Sequence, residues 1–247
     1  RDIDTAYLQV GGGGMAAGVA NWLRKFFPRI RIVAVEGENQ ASMRLAVRRG
    51  GPQTLDSLDV FCDGTAVRRA GILTWQLCRD LIDDFVTVSN SEVCAAIQFL
   101  WERRRVIPEP AGAMGVAAWR AAGGERRKGS SLCIVCGANM DFAQFGQVVR
   151  QAAIGRRTRR FVRFRLPERA GALYHLVKSL RESVSIMEFQ YGRTDGEHAY
   201  PVIGFDVHQT EWDRLKAEWR SAEQWFQDVT GSPDVAARFI PCDPVAL

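Results

Sequence analysis

Thr5-Ala6-Tyr7-Leu8-Gln9-Val10-Gly11-Gly12-Gly13-Gly14-Met15-Ala16-Ala17 is the stretch on which the fold turns. Tyr7–Val10 reads as a short strand, and Met15–Phe27 as a helix with Trp22, Leu23 and Phe26 as its buried positions. Four glycines between a strand and a helix present bare backbone amides at a helix N-terminus, which is an anion site with phosphate as the favoured ligand. The kind of phosphate stays open at this point. Gly12-x-Gly14-x-x-Ala17 satisfies the dinucleotide fingerprint, and Glu36 ends the next strand where a ribose-binding acid belongs. A structural turn without a ligand also fits.

Outward from this stretch the pattern alternates. Arg31–Val35 is the next strand, and a loop rich in Gly, Pro and Asp runs from Gly50 to Asp63 before a helix through Val67, Leu73 and Leu77. Phe85–Val88 is a strand, and Ser89-Asn90-Ser91 caps a helix carrying Val93, Ile97 and Leu100. Pro108-Glu109-Pro110 breaks the pattern before an alanine-rich helix from Gly112 to Ala121. Residues 131–135 form an apolar strand, and a last helix spans Phe142 to Ala153. Alternating strands and helices imply a parallel sheet covered on both faces. Residues 1–155 form this first domain.

Residues 156–247 have a different grammar. Phe161–Leu166 alternates with period two, Ala172–Arg181 carries Leu173, Leu176, Val177 and Leu180 on one helical stripe, and Ile186–Tyr191 and Val202–Val207 are strands joined near Asp195-Gly196. A helix over Glu211–Val229 and a strand over Ala237–Ile240 complete a βαββαβ order, the ferredoxin-like plait.

The 247 residues, 47% hydrophobic and 25% charged, have the mix of a globular chain. No apolar run reaches the roughly 18 residues of a membrane helix and no leader pattern opens the chain, so the expected compartment is the cytoplasm. The chain opens at Arg1, just before a core strand, which is the expectation for part of a longer polypeptide. Eight of its arginines and one acid fall between Arg150 and Arg169, a local balance of +7 out of a net +5. Charge packed into one short joint is not the spread basic face that nucleic acid requires, so no nucleic-acid partner is expected. Cys133 and Cys136 make the single C-x-x-C. On a strand they would point to opposite faces, and His175, His198 and His208 are scattered, so no metal is expected. There are four lysines: Lys25, Lys128, Lys178 and Lys216.

Two further motifs decide among the phosphate readings. Glu109-Pro110-Ala111-Gly112-Ala113 and Cys136-Gly137-Ala138-Asn139 follow the glycine run in order. Together the three resemble the fold-type II pyridoxal-phosphate enzymes, tryptophan synthase β-like in fold, and most of all the biosynthetic threonine dehydratases (threonine ammonia-lyases). Pro167-Glu168-x-x-Gly171-Ala172-Leu173 and Glu188-Phe189-x-Tyr191 resemble the ACT-like regulatory domain attached to those enzymes. The resemblance implies a C-terminal portion of the catalytic domain followed by one regulatory domain.

It also implies roles. Gly11, Gly12, Gly13 and Gly14 would cradle the phosphate of pyridoxal 5'-phosphate. Cys136 would face the pyridine nitrogen, Gly137 and Asn139 would shape the turn beside it, and Glu109 would lie near the ring edge. Gly37-Glu38-Asn39-Gln40 departs from the cation-binding version of the family, so no metal is implied there. Pro167, Glu168, Gly171, Ala172, Glu188 and Tyr191 would contact an effector, isoleucine inhibiting and valine opposing it. The implied activity is deamination of L-threonine, or of L-serine, to a 2-oxo acid and ammonia in a homo-oligomer, dimer or tetramer. One departure matters: the family's Schiff-base lysine lies upstream of the glycine loop, and none of the four lysines here matches it. The alternatives are a non-catalytic paralogue or a subunit of a split enzyme that senses amino acids, and, on the glycine fingerprint and Glu36 alone, a nicotinamide-dependent oxidoreductase.

Overall fold

The computed structural model describes residues 3–126, 128–138, 140–156, 158–180, 184–191, 195–232 and 235. The chain divides into two compact units, Arg1–Gly155 and Arg156–Leu247.

The first unit runs β1 (Thr5–Gln9), α1 (Gly14–Phe26), β2 (Arg31–Gly37), α2 (Ser42–Arg49), α3 (Ile72–Leu81), β3 (Asp84–Val88), α4 (Asn90–Arg104), α5 (Pro110–Ala121), β4 (Ser131–Cys133) and α6 (Phe142–Gly155). Its strands are all parallel, in the order β3-β2-β1-β4. The period-two alternation of β1 sorts its side chains between two cores. Ala6 and Leu8 face α1, α2 and α3, where Leu23, Met43 and Cys78 are buried. Tyr7 faces the other layer, with Val93, Ile97 and Leu100 of α4 and Met114 of α5. The doubly covered parallel sheet read from the sequence is present.

Details differ, each for a physical reason. Helix α2 was not foreseen, because Arg44, Arg48 and Arg49 leave few apolar positions to mark it, and Met43 and Ala46 alone anchor it in the core. Helix α3 begins only at Ile72, so Val67 precedes it, and Cys78, not Leu73 or Leu77, is its buried residue. Trp22 and Phe26 are 52% and 55% exposed instead of buried. The small residues Ala16, Ala17 and Ala20 supply the inward stripe of α1 together with Leu23, while Trp22 stacks on Phe26 outside it at 4.5 Å between centroids. The apolar run at 131–135 is a strand only to Cys133, and as an edge strand it is only half buried. Cys136 therefore lies in the loop after β4, where strand alternation does not govern it.

The second unit runs β5 (Arg159–Phe164), β6 (Leu166–Pro167), α7 (Ala172–Ser179), β7 (Ser185–Gln190), β8 (His198–Ala199), β9 (Val202–Asp206), α8 (Gln209–Ser221) and β10 (Phe226–Asp228). The main sheet is antiparallel with order β10-β5-β9-β7, and β6 and β8 form a separate two-residue ribbon. This is the plait, with its first and third long strands central. Phe164, Phe205 and Trp219 meet in its core, the Phe164 and Trp219 rings edge to face at 5.0 Å. The helix expected to reach Val229 ends at Ser221. Glu223 turns the chain at φ 52, and Phe226–Asp228 returns as the strand beside β5. The expected strand at Ala237–Ile240 lies outside the described residues. Two arginines of the basic joint are used in packing. Arg160 lies over the Trp212 ring at 5.6 Å and donates to Gln209, and Arg165 lies over Trp225 at 5.7 Å.

Helix α4 starts with a full capping box. The Glu92 N–H donates to Ser89 Oγ at 3.3 Å, and the Ser89 N–H donates back to the Glu92 carboxylate at 2.9 Å. Ser89→Ala is expected to lower unfolding free energy by about 1 kcal/mol, read as a lower urea midpoint with an unchanged slope.

Candidate functional site

Strand β1 has β2 on one side and β4 on the other, so the loops that leave β1 and β4 diverge and open a crevice at the carboxyl end of the sheet. Ligands of open α/β sheets bind at such a switch point. The glycine loop leaves β1, and Cys136-Gly137 follows β4.

The loop is held from behind and open in front. Gly13 sits at φ 91, a conformation that glycine adopts without strain, and a Cβ there would strike Met43 and Thr74. A Cβ on Gly11 would come within 2.9 Å of the Thr65 backbone. Thr74 Oγ1 donates to the Gly12 carbonyl at 2.6 Å and pins the loop. At Gly12 and Gly14, by contrast, an added Cβ would meet nothing. The first bond of α1 is from the Ala17 N–H to the Gly13 carbonyl, so the earlier amides of the helix have no partner within it. Helix-start amides without intrahelical partners, beside backbone that is open at Gly12 and Gly14, fit a phosphate.

Opposite stands the turn after β4. The Glu109 N–H donates to the Gly137 carbonyl at 3.1 Å, and Gly137, at φ 73, leaves the space that the Glu109 carboxylate fills. That carboxylate also abuts Gly64, 2.9 Å from where a Cβ would stand. Gly112 lies directly against the Cys136 carbonyl. Cys136 is exposed, and Gln9 at the end of β1 donates its Nε2–H to Sγ at 3.1 Å. The structure thus brings Glu109, Cys136 and Gly137 together beside β1, whose next residues are the glycine loop. Asn139 lies outside the described residues. Gln9, Gly64, Thr65 and Thr74 were not foreseen. Gln9 reads from the sequence only as one residue of a strand and the other three sit in segments without a motif, so only the tertiary approach reveals them.

Glu36 is fully buried and turned away from any ligand. Its two carboxylate oxygens accept the N–H groups of Met43 at 2.9 Å and Arg44 at 2.7 Å, at the start of α2. This corrects its reading as a ribose-binding acid, because both oxygens cap a helix. Burial pushes its carboxyl up to about 7, with the two amides and the Arg44 charge pulling the other way. The Cys62 thiol is pushed up to about 12 by burial and then by Asp59, Asp63 and Glu109, so it stays protonated and inert.

In the second unit the six expected effector contacts do not share one cavity. A cavity of about 330 Å³ between α7 and α8 is lined by Pro167 and Ala172 together with Leu166, Arg169, His175 and Trp219. Gly171 is the left-handed N-cap of α7 at φ 82, and the Glu168 N–H donates to the Glu197 carbonyl. Glu188 and Tyr191 lie along the edge strand, where Glu188 abuts Gly204 and Tyr191 stacks with Phe189.

Residues 1–137 match the family described as pyridoxal-phosphate dependent enzyme, and residues 150–238 match the C-terminal regulatory domain of threonine dehydratase. The chain belongs to the pyridoxal-phosphate-dependent enzymes, in the threonine dehydratase group. It is 35% identical to the biosynthetic L-threonine dehydratase IlvA of Haemophilus influenzae, over 82% of this chain and 40% of that protein. To the Salmonella typhimurium enzyme of the same name it is 32% identical, over 96% and 46%. Among solved structures, the processed form of threonine deaminase isoform 2 from Solanum lycopersicum has a TM-score of 0.59 at 36% identity, covering 62% of this chain and 45% of that one. Maize serine racemase has a TM-score of 0.53 at 31% identity, covering 60% and 48%. The chain spans less than half the length of these curated relatives. Among the described residues no helix is long and apolar enough to cross a membrane.

The buried carboxyl of Glu36 makes stability depend on pH. Its folded value of about 7 lies above the ordinary 4.5, so the fold retains a proton that the unfolded chain has lost. Its contribution is complete below about 4.5 and is lost as pH rises through 7. Between pH 5 and pH 8 the urea midpoint of the wild type is expected to fall more than that of Glu36→Gln, by up to about 3 kcal/mol in unfolding free energy.

Proposed function

We propose that this chain supplies the phosphate-binding side of the cofactor site, and the regulatory domain, of a threonine ammonia-lyase that converts L-threonine to 2-oxobutyrate and ammonia. The observation that carries the reading is the bond from Gln9 to Cys136, which sets the turn after β4 beside the strand that leads into the glycine loop, in a chain from a pyridoxal-phosphate-dependent family. The residues fit the cofactor: backbone open to solvent at Gly12 and Gly14 beside the first amides of α1, which have no partner within the helix, for its phosphate, and a small-residue wall at Gly137 beside Glu109 for its ring. Bound there, pyridoxal phosphate supplies an electron sink for the α-carbon of the amino acid. Cys136 would offer the ring nitrogen a thiol rather than a carboxylate, which suits elimination of the β-hydroxyl better than transamination.

None of the four lysines matches the Schiff-base lysine of the family. Lys25 is exposed in the last turn of α1, Lys128 precedes β4, and Lys178 and Lys216 are in the second unit. The lysine that carries the cofactor therefore comes from residues outside this sequence, whether in the same polypeptide or in a partner subunit. L-serine is the second candidate substrate. Isoleucine and valine are the proposed effectors of the second unit. The apolar wall of the cavity beside Pro167 and Ala172, with Arg169 and His175 among its lining, suits an amino acid with a branched apolar side chain. A homo-oligomer is supported by the exposed Trp22–Phe26 pair, which association would cover. Free cysteines suit a reducing cytoplasm.

Two outcomes test the reading on the natural polypeptide that contains these residues. It is expected to release 2-oxobutyrate from L-threonine, and Gly12→Asp, which sets a carboxylate in the phosphate cradle, is expected to weaken cofactor retention at least tenfold. Retention unchanged by Gly12→Asp places the phosphate elsewhere. Turnover of threonine that saturating isoleucine leaves untouched removes the regulatory part, and Arg169→Ala is expected to weaken the isoleucine response about tenfold, roughly the worth of one charge-assisted hydrogen bond. Isoleucine binding without any turnover favours the sensor.

A further inference from the structure

We propose that Gln9 is a positioning residue for Cys136, holding its sulfur as an acceptor on the inner side so that the thiol proton is directed outward into the crevice. The proposal rests on the cofactor reading only for the identity of the outer acceptor, the ring nitrogen.

The two residues are 127 positions apart and meet through one bond, Gln9 Nε2–H to Cys136 Sγ at 3.1 Å. Gln9 is only 4% exposed, on the layer of β1 that also holds Tyr7. Its Oε1 is buried and has no hydrogen-bond partner among the described residues, and it lies 3.7 Å from where a Cβ of Gly115 would stand. Burying a primary amide with half its capacity unused is costly, and at the end of a core strand an apolar residue would avoid that cost. What the amide gains is its contact with the sulfur. A thiol has one proton and weakly accepting lone pairs. With an N–H delivered to the sulfur from the β1 side, the proton of Cys136 has no acceptor there among the described residues, and the exposed side of the residue is where it can be donated. The reversed amide would accept the S–H through Oε1 and turn the proton inward, leaving the crevice with a sulfur that only accepts. Gln9 thus decides whether Cys136 is a donor to what binds in front of it.

The test uses the whole chain without cofactor. Cys136 is alkylated with iodoacetamide at pH 7.5, forming the S–C bond as iodide leaves and the thiol proton passes to buffer, and the modified peptide is quantified by mass against time. Alkylation proceeds through the sulfur anion, which a donated N–H stabilises. Gln9→Met, similar in length and without a donor, and Gln9→Glu, isosteric with an oxygen in place of the amide nitrogen, are each expected to slow modification of Cys136 about fivefold, the worth of one hydrogen bond. The rate at the half-buried Cys133 should stay as it is. In the wild type, the side-chain NH₂ resonances of Gln9 are expected to shift when Cys136 is alkylated, a signature that a merely structural residue would not show. Wild-type rates in both variants, or Gln9 resonances indifferent to alkylation, overturn the proposal. The resonance experiment decides alone if the variants do not fold. Cofactor retention is a separate readout: its loss with the Gln9–Cys136 coupling intact removes the functional reading and leaves this one standing.

Discussion

The site depends on a helix lying almost directly on backbone. Gly112 of α5 has no side chain to keep it from the Cys136 carbonyl, and Gly115 lets the same helix approach Tyr7 of β1. Nearly all of α5, from Pro110 to Ala118, is buried, mostly through small residues. Close approach of this kind trades side-chain volume for proximity. It sets the turn after β4 against the start of α5, and so places Glu109, Gly137 and Cys136 within reach of the strand that carries the glycine loop. A larger residue at position 112 would push the turn away and open the wall on which the site relies.

The fold class was legible because its signals are local. The strand, glycine run and helix at the start, the Ser89 cap and the period-two pattern after Arg160 each say what they are within ten residues. The misreadings have a common physical root. Trp22 and Phe26 were read as core because they are large, whereas the sheet accepts the alanine stripe of α1, whose small side chains allow a closer fit. Helix α2 escaped because much of what fixes it is the Glu36 carboxylate at the end of β2, which caps its first turn, not its own periodicity. The end of α8 was overrun because a left-handed Glu223 gives little warning in composition.

The candidate site was legible in part. Glycines between strand and helix announce a phosphate cradle, and the later small-residue turns announce a flat neighbour. The pieces that brace them, Thr65, Thr74 and above all Gln9, are ordinary residues whose meaning comes from partners dozens of positions away. The second unit shows the opposite balance. Its order of strands and helices was read, though its last strand lies where the sequence was read as helix, and the residues expected around one effector are divided between a helix-lined cavity and an edge strand.

The central place of β1 has a consequence in time. Its partner on one side, β2, begins at Arg31, but its partner on the other side pairs Thr5 with Ser131. A chain emerging from the ribosome can build three strands and the helices around them while one edge of β1 stays unpaired, until β4, more than a hundred residues after β1, has been made. Contacts that span such a distance come late and slowly, because a long loop must be closed before they form. The cradle for the phosphate can therefore exist before the wall that faces it, and the crevice is finished last.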